Sequence, residues 1–276
     1  MSDRRLKPFD PSVPNFARVM DYLGGGKDNF AIDREVGDEL LKIAPDVPTM
    51  IAEQRKFLYK AIVYLTDQGI RQFVDVGCGL PAGGSVHEVL RELKVEARVV
   101  YVDEDPVVVS HGQAIVATHD EAKAVGGPMV RVIQADPRDP DAMLDHPELA
   151  GSLDLRQPTA ILLRSLLAVF ADDVAARVAE RLKDRLAPGG HLLIDHVIRD
   201  PSQEKTDRMT DLFNEADLIE GGRGHVRTRA QVARFLDGLE LVPPGLVPLP
   251  AWRPGFGEPA VDPDSFWGVG ALGRKP

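Results

Sequence analysis

Between residues 70 and 197 short apolar runs alternate with amphipathic stretches, and this alternation restricts the fold more than any other feature of the chain. "RQFVDVG" (71–77) reads as a buried strand. "GSVHEVLREL" follows, with Val86, Val89, Leu90 and Leu93 at i, i+3, i+4 and i+7, the spacing of a helix with one apolar face. "ARVVYVD" (97–103) is a second strand, and a helix is expected to start near Pro106, whose fixed φ suits a first helical turn. "MVRVIQAD" (129–136) is a third strand, "TAILLRSLLAVF" (159–170) contains a fourth, and "HLLIDHV" (191–197) is a fifth. Ahead of the fifth, Val174, Val178, Leu182 and Leu186 recur every fourth residue until Pro188-Gly189-Gly190 stops the helix. Strands separated by helices pair in parallel, because each crossover helix buries its apolar stripe on a sheet face. The expectation is an α/β fold with a doubly wound, Rossmann-like sheet.

The flanks read differently. A helix is expected over about 203–219, then a loop "EGGRGHVR" (220–227), then a capping box from Thr228 to Gln231 before "VARFLDGL". "ELVPPGLVPLP" and "SFWGVGALG" look like two last strands around a Pro/Gly-rich loop. Residues 1–69 hold three helical patterns and no good strand, so they are expected to cap the main domain at 70–276. A chain of 276 residues, 43% hydrophobic, can build one large domain with such an appendage. The net charge of −10 disfavours a nucleic-acid partner, since duplex binding normally needs a basic face. Cys78 is the sole cysteine, so no internal disulfide can form. Neither a signal-peptide core nor an apolar run of the roughly 18 residues that a membrane span needs is visible, and the expected location is the cytoplasm.

"FVDVGCGLPAGG" (73–84) ends the first strand in glycines, and residues 77–82 fit the loose G-x-G-x-x-G/A fingerprint. A tight turn without ligand is one reading. Among ligands, a dinucleotide would bring an anionic pyrophosphate to the turn. Asp75, two residues before Gly77, would repel it. S-adenosylmethionine carries an ammonium, a sulfonium and no phosphate, so a carboxylate at this strand end favours it. Asp103 ends the second strand, where a carboxylate can accept from ribose hydroxyls. Asp136 ends the third, where it can accept from an adenine amino group.

"FVDVGCGLP", "VVYVDEDP", "VIQADPRDP" and "LAPGGHLLIDH" together resemble class I S-adenosylmethionine-dependent methyltransferases. More narrowly, "ARVMDYLGGGKDNFAIDREV", "APDV", "IRQFVDVGCGLP" and "ARFLDGLELVPPGLVPLPAWRP" resemble the actinobacterial S-adenosyl methyltransferase family once described as a domain of unknown function, over about residues 14–273. The resemblance implies a seven-stranded sheet with its last strand antiparallel and a helical lid over the cofactor, and it implies no substrate. The cofactor set expected from these segments is Asp75, Gly77, Cys78, Gly79, Asp103, Glu104, Ala135 and Asp136, with Tyr22, Asn29 and Phe30 from the lid and Arg55 for the methionine carboxylate. Ala168 departs from the pattern, where such proteins often carry a histidine.

Other constellations are weaker. "GGGKDNF" (24–30) is no phosphate loop, because Asp21 stands where the first glycine belongs and Asp28 follows Lys27. It either ends a helix or hinges a lid. Cys78 has no visible base, and the seven histidines show no metal spacing. Arg164, Ser165, Asp195 and His196 fall at strand ends that face the crevice of such sheets. Arg164 and Arg223 are candidates to orient an anionic acceptor, against the alternative of a salt bridge for Arg164. Arg227 shares the loop with Arg223. His196 is the candidate base, against the alternative that it packs under the next helix. The function expected is S-adenosylmethionine-dependent methyl transfer to a small molecule. A non-catalytic S-adenosylmethionine sensor and an NAD-dependent oxidoreductase are the alternatives; Ala168 favours the former and Asp75 opposes the latter.

Overall fold

Five parallel strands form where the apolar runs place them: β1 (Gln72–Val76), β2 (Arg98–Asp103), β3 (Met129–Gln134), β4 (Ala160–Arg164) and β5 (His191–Val197). The computed structural model describes residues 10–80, 83–120, 127–199, 203–219, 225–255 and 266–276. In the sheet β1 lies between β2 and β4, and the order runs β3-β2-β1-β4-β5. The chain winds outward in both directions from β1, so the carboxyl ends of β1 and β4 flank a topological switch point. β8 (Gly268–Arg274) lies antiparallel to β5. "ELVPPGLVPLP" forms two strands of two residues each, β6 (Glu240–Leu241) and β7 (Val247–Pro248), both paired with β8. Its prolines lack the amide a longer ladder needs, which divides the one expected strand into two and brings the sheet to eight.

Helices cover both faces. α1 (Phe16–Leu23), α2 (Ala31–Ile43) and α3 (Val47–Asp67) precede the sheet; α4 (Val86–Glu92) and α5 (Pro106–Asp120) follow β1 and β2. The short α6 (Pro140–Leu144) and α7 (Pro147–Ser152) lie between β3 and β4, and are too brief to show a helical period in sequence. α8 (Asp172–Arg185), α9 (Gln203–Glu215) and α10 (Arg229–Ala233) complete the set. The capping box at α10 forms as expected, with Gln231 N–H on Thr228 Oγ1 and Thr228 N–H on Gln231 Oε1.

The three glycines after α1 end it: Gly24, Gly25 and Gly26 donate to the carbonyls of Met20, Tyr22 and Asp21. α3 lies on the sheet through Phe57, Leu58, Ala61, Ile62 and Leu65, in one apolar cluster with Phe73, Leu193 and Leu272. Its closeness explains two glycines of β8, since a Cβ on Gly268 would collide with Met50 Sδ and one on Gly270 would stand 2.8 Å from the Phe57 ring.

His191 opens β5 and is 2% exposed. Burial, reinforced by the Arg274 charge, pushes its pKa down to about 4. An unfolded histidine titrates near 6.5. As pH falls from about 6.5 to 4 the unfolded chain takes a proton that the fold refuses, so this histidine's contribution to stability is lost across that window. His191→Leu is expected to reduce the stability lost between pH 7 and 4.5 by about 2 kcal/mol in urea titrations. An unchanged pH dependence would mean that the fold accommodates the proton.

Candidate active site

The turn after β1 is set by two left-handed glycines, Gly77 at φ +66° and Gly79 at φ +65°. The amides of Gly77 and Cys78 donate to Val102 O at 2.8 and 3.2 Å, which ties the turn to the end of β2. A Cβ on Gly77 would stand 2.6 Å from Leu166 Cδ1, whereas one on Gly79 would meet nothing within 4 Å. Gly79 therefore borders open space at the strand ends. Asp103 reaches under the turn: Oδ2 accepts from Gly79 N–H at 2.9 Å and Oδ1 from Asp105 N–H at 3.0 Å. Burial raises its pKa, against the pull of these amides. Burial, with the Asp103 and Asp75 charges, also pushes the Cys78 thiol up, so Cys78 is no nucleophile. Gly77→Ala is expected to cost about 1–3 kcal/mol, because it adds both a strained φ and the Leu166 contact. A melting temperature equal to the parent's would show that the turn relaxes freely.

The structure revises the roles expected of Asp75 and Arg164. Asp75 is fully buried, and Arg164 Nε and Nη2 reach its two oxygens at 3.2 and 3.0 Å. Nη2 also donates to Cys78 O at 3.2 Å. Burial raises the Asp75 pKa and Arg164 opposes it. The charge meant to attract a cationic ligand is met inside the protein, and the arginine meant for an anionic acceptor is the group that meets it. Together they brace the turn at the switch point.

Beyond Asp103 the rim is acidic. Glu104 and Asp136 share one cation, Arg138, which pairs with Glu104 and places Nε 2.7 Å from Asp136 Oδ1. Ala135 donates its amide to Asp103 O at 3.0 Å. Asp136 remains exposed. Arg138 was missed in sequence, where "ADPRDP" shows a strand-end acid and nothing to mark its neighbour as a partner.

The N-terminal segment stands over these ends through polar links. Asn15 Nδ2 donates to Asp105 Oδ2 at 2.8 Å, and His111 Nε2 of α5 lies 3.3 Å from Asp28 Oδ2. Asn29 Nδ2 and Asp28 N–H converge on Asp21 Oδ2, at 2.9 and 2.8 Å. Arg55 donates to Gly24 O at 3.0 Å, and its Cβ and Cγ lie 3.9 Å from where a Gly84 Cβ would be. It thus bridges the glycine run of α1 and the end of the β1 turn. Phe30 is 41% exposed, with the Arg18 guanidinium 5.2 Å from its ring centre. Tyr22 is corrected: its ring contacts Gly37, and Oη donates to Asp38 at 2.7 Å, so its hydroxyl is committed to α2.

His196 is corrected as a base. It is 1% exposed, Nδ1 bonds Val197 O, and Arg227 Nη1 lies 3.2 Å from Nε2. Burial pushes its pKa down to about 4. Both nitrogens are used, and the ring stacks on Phe235 at 6.4 Å, within the core. Arg227 is likewise no acceptor-covering residue: 3% exposed, it donates to the carbonyls of Leu167 and Phe170 and to Asp172 Oδ1. Arg223 lies outside the described residues, as do residues 220–224 around it and Pro81 and Ala82 of the fingerprint. Ala168 sits in a 3₁₀ turn (Leu166–Val169), where its carbonyl accepts from His225 N–H at 2.7 Å.

The polar cluster that does gather at the ends of β4 and β5 is Ser165, Asp195 and Gln54 of α3. Asp195 Oδ1 accepts from Ser165 Oγ at 2.7 Å and from Gln54 Nε2 at 3.0 Å. Among the described residues no group of three or more His, Cys, Asp or Glu could hold a metal ion, and no helix is long and apolar enough to cross a membrane.

A family model described as S-adenosyl methyltransferase matches residues 2–276. Among solved structures, a duf574 family protein from Streptomyces avermitilis MA-4680 is 30% identical, covering 97% of this chain and 99% of its own, with a TM-score of 0.87. A candidate methyltransferase from Thermobifida fusca YX is 38% identical, covering 96% of both chains, with a TM-score of 0.84. Magnesium protoporphyrin IX methyltransferase from Synechocystis PCC 6803, solved with bound S-adenosylhomocysteine, shares the fold at 12% identity, covering 94% of this chain and 93% of its own, with a TM-score of 0.53. No curated protein matches.

Proposed function

The chain belongs to the S-adenosyl methyltransferase family, and we propose that it methylates a small molecule held between the carboxyl ends of β4 and β5 and helices α1–α3. S-adenosylmethionine is its cofactor and methyl transfer its reaction. When bound, the cofactor supplies a methyl group already activated by its sulfonium charge. The residues present suit it. Gly79 opens onto space, Asp103 offers acceptor lone pairs where a ribose would lie, and the acidic rim of Glu104 and Asp136 suits a cationic ligand better than a pyrophosphate. Arg55, between the α1 glycines and Gly84, is placed for a carboxylate. Residues 16–30 act as the lid, with Asn29 and Phe30 on its cofactor side.

The observation that supports the acceptor reading is the polar cluster of Ser165, Asp195 and Gln54 at the carboxyl ends of β4 and β5, beside the switch point where sheets of this kind hold their ligands. A net charge of −10 supports a small acceptor over a polyanion. The test is incubation with methyl-labelled S-adenosylmethionine and a metabolite extract. Label is expected in the small-molecule fraction; label confined to protein or nucleic acid would overturn the acceptor class.

A further inference from the structure

The Ser165–Asp195 pair has features that packing alone does not require. Ser165 holds φ +55°, a left-handed conformation that costs a non-glycine residue energy unless its surroundings impose it. Its hydroxyl donates to Asp195 and accepts from Gln54 Nε2 at 2.8 Å, which leaves one lone pair unused on a half-buried side chain. Asp195 is 1% exposed, and Oδ2 is buried with no hydrogen-bond partner among the described residues. An uncompensated buried carboxylate oxygen is costly, and it makes the group more ready to take a proton. Arg164, whose charge acts on Asp195, is already committed to Asp75.

We propose that Ser165 and Asp195 form a proton relay that deprotonates a hydroxyl acceptor during methyl transfer. The acceptor O–H donates to the free lone pair of Ser165 Oγ. As the acceptor oxygen bonds the methyl carbon, the carbon–sulfur bond breaks with its electron pair going to sulfur. The acceptor proton passes to Ser165 Oγ, and the Ser165 proton passes to Asp195 Oδ1. The ends are a methyl ether, a neutral thioether and a protonated Asp195. Gln54 fixes the geometry by donating to both partners. Asp195 suits the part because burial pushes its pKa up to about 6, against the Ser165 hydrogen bond that lowers it. The relay rests on the methyl-transfer reading above and names the acceptor as a hydroxyl.

Ser165→Gly removes the hydroxyl while suiting the left-handed backbone. The full chain and the Ser165→Gly and Asp195→Asn variants are each given methyl-labelled S-adenosylmethionine and the same metabolite extract. Both variants are expected to bind S-adenosylhomocysteine within about threefold of the parent and to lose roughly a hundredfold in labelling rate, the usual scale for a proton-transfer group. Labelling within threefold of the parent, or label on a carbon, nitrogen or sulfur atom, overturns the relay while leaving methyl transfer intact. No labelling by the parent overturns both. A second readout is independent of turnover and of whether Asp195→Asn folds: the Asp195 carboxyl carbon, followed by NMR with S-adenosylhomocysteine bound. Its midpoint is expected near 6 in the parent and higher in Ser165→Gly, which lacks the hydrogen bond that lowers it. A midpoint near the ordinary value of about 3.9, or one indifferent to Ser165→Gly, overturns the relay.

Discussion

Arg164→Met is expected to destabilise the fold by about 3–5 kcal/mol at pH 7, because it leaves the Asp75 carboxylate buried without the cation that pairs with it among the described residues. The loss is expected to shrink as pH falls. Burial already raises the Asp75 pKa, and removing Arg164 takes away the group that opposes it. With its folded pKa above the unfolded value, the carboxyl binds a proton more readily in the fold, so acid favours the folded variant. Urea titrations at pH 7 and pH 5 measure both effects. A penalty under 1 kcal/mol, or one that grows in acid, would show that Asp75 is solvated and that the pair does not brace the turn.

Asp103→Ala is expected to weaken S-adenosylhomocysteine binding tenfold to a hundredfold, the effect of losing a charged hydrogen bond worth about 1.5–3 kcal/mol. The same carboxylate fixes the Gly79 amide, so part of the loss would come through the turn. Asp103→Asn keeps one acceptor oxygen for that amide and is expected to fall between the parent and the alanine variant. Equilibrium dialysis against labelled S-adenosylhomocysteine reads both. Parent-like affinity in Asp103→Ala would remove Asp103 from the site.

Where the sequence was informative, a single period carried the information. β1 to β5 emerged from apolar runs, and α8 from a four-residue repeat, because each depends only on the element itself. The strand-end carboxylates were visible for the same reason: Asp103 and Asp136 follow directly from where β2 and β3 stop. Their partners were not visible. Arg164 meets Asp75 only because β4 pairs with β1, and Gln54 meets Asp195 only because α3 packs on the sheet, and neither is a local property. The choice between Asp195 and His196 shows the limit most plainly. Adjacent residues on a strand point to opposite faces, but β5 is buried on both faces and shows no alternation that would reveal which is which. His196 turns to the face of Leu192 and Ile194 and packs on Phe235, while Asp195 turns to Gln54 of α3.

The open space beside Gly79 of the β1 turn is expected to take a sulfonium cofactor and not a dinucleotide. Calorimetric titration of the full chain with S-adenosylhomocysteine, and separately with NAD, tests it most directly. Saturable binding of S-adenosylhomocysteine at one per chain, with no heat from NAD, is the predicted result; saturable binding of NAD and none of S-adenosylhomocysteine would contradict it.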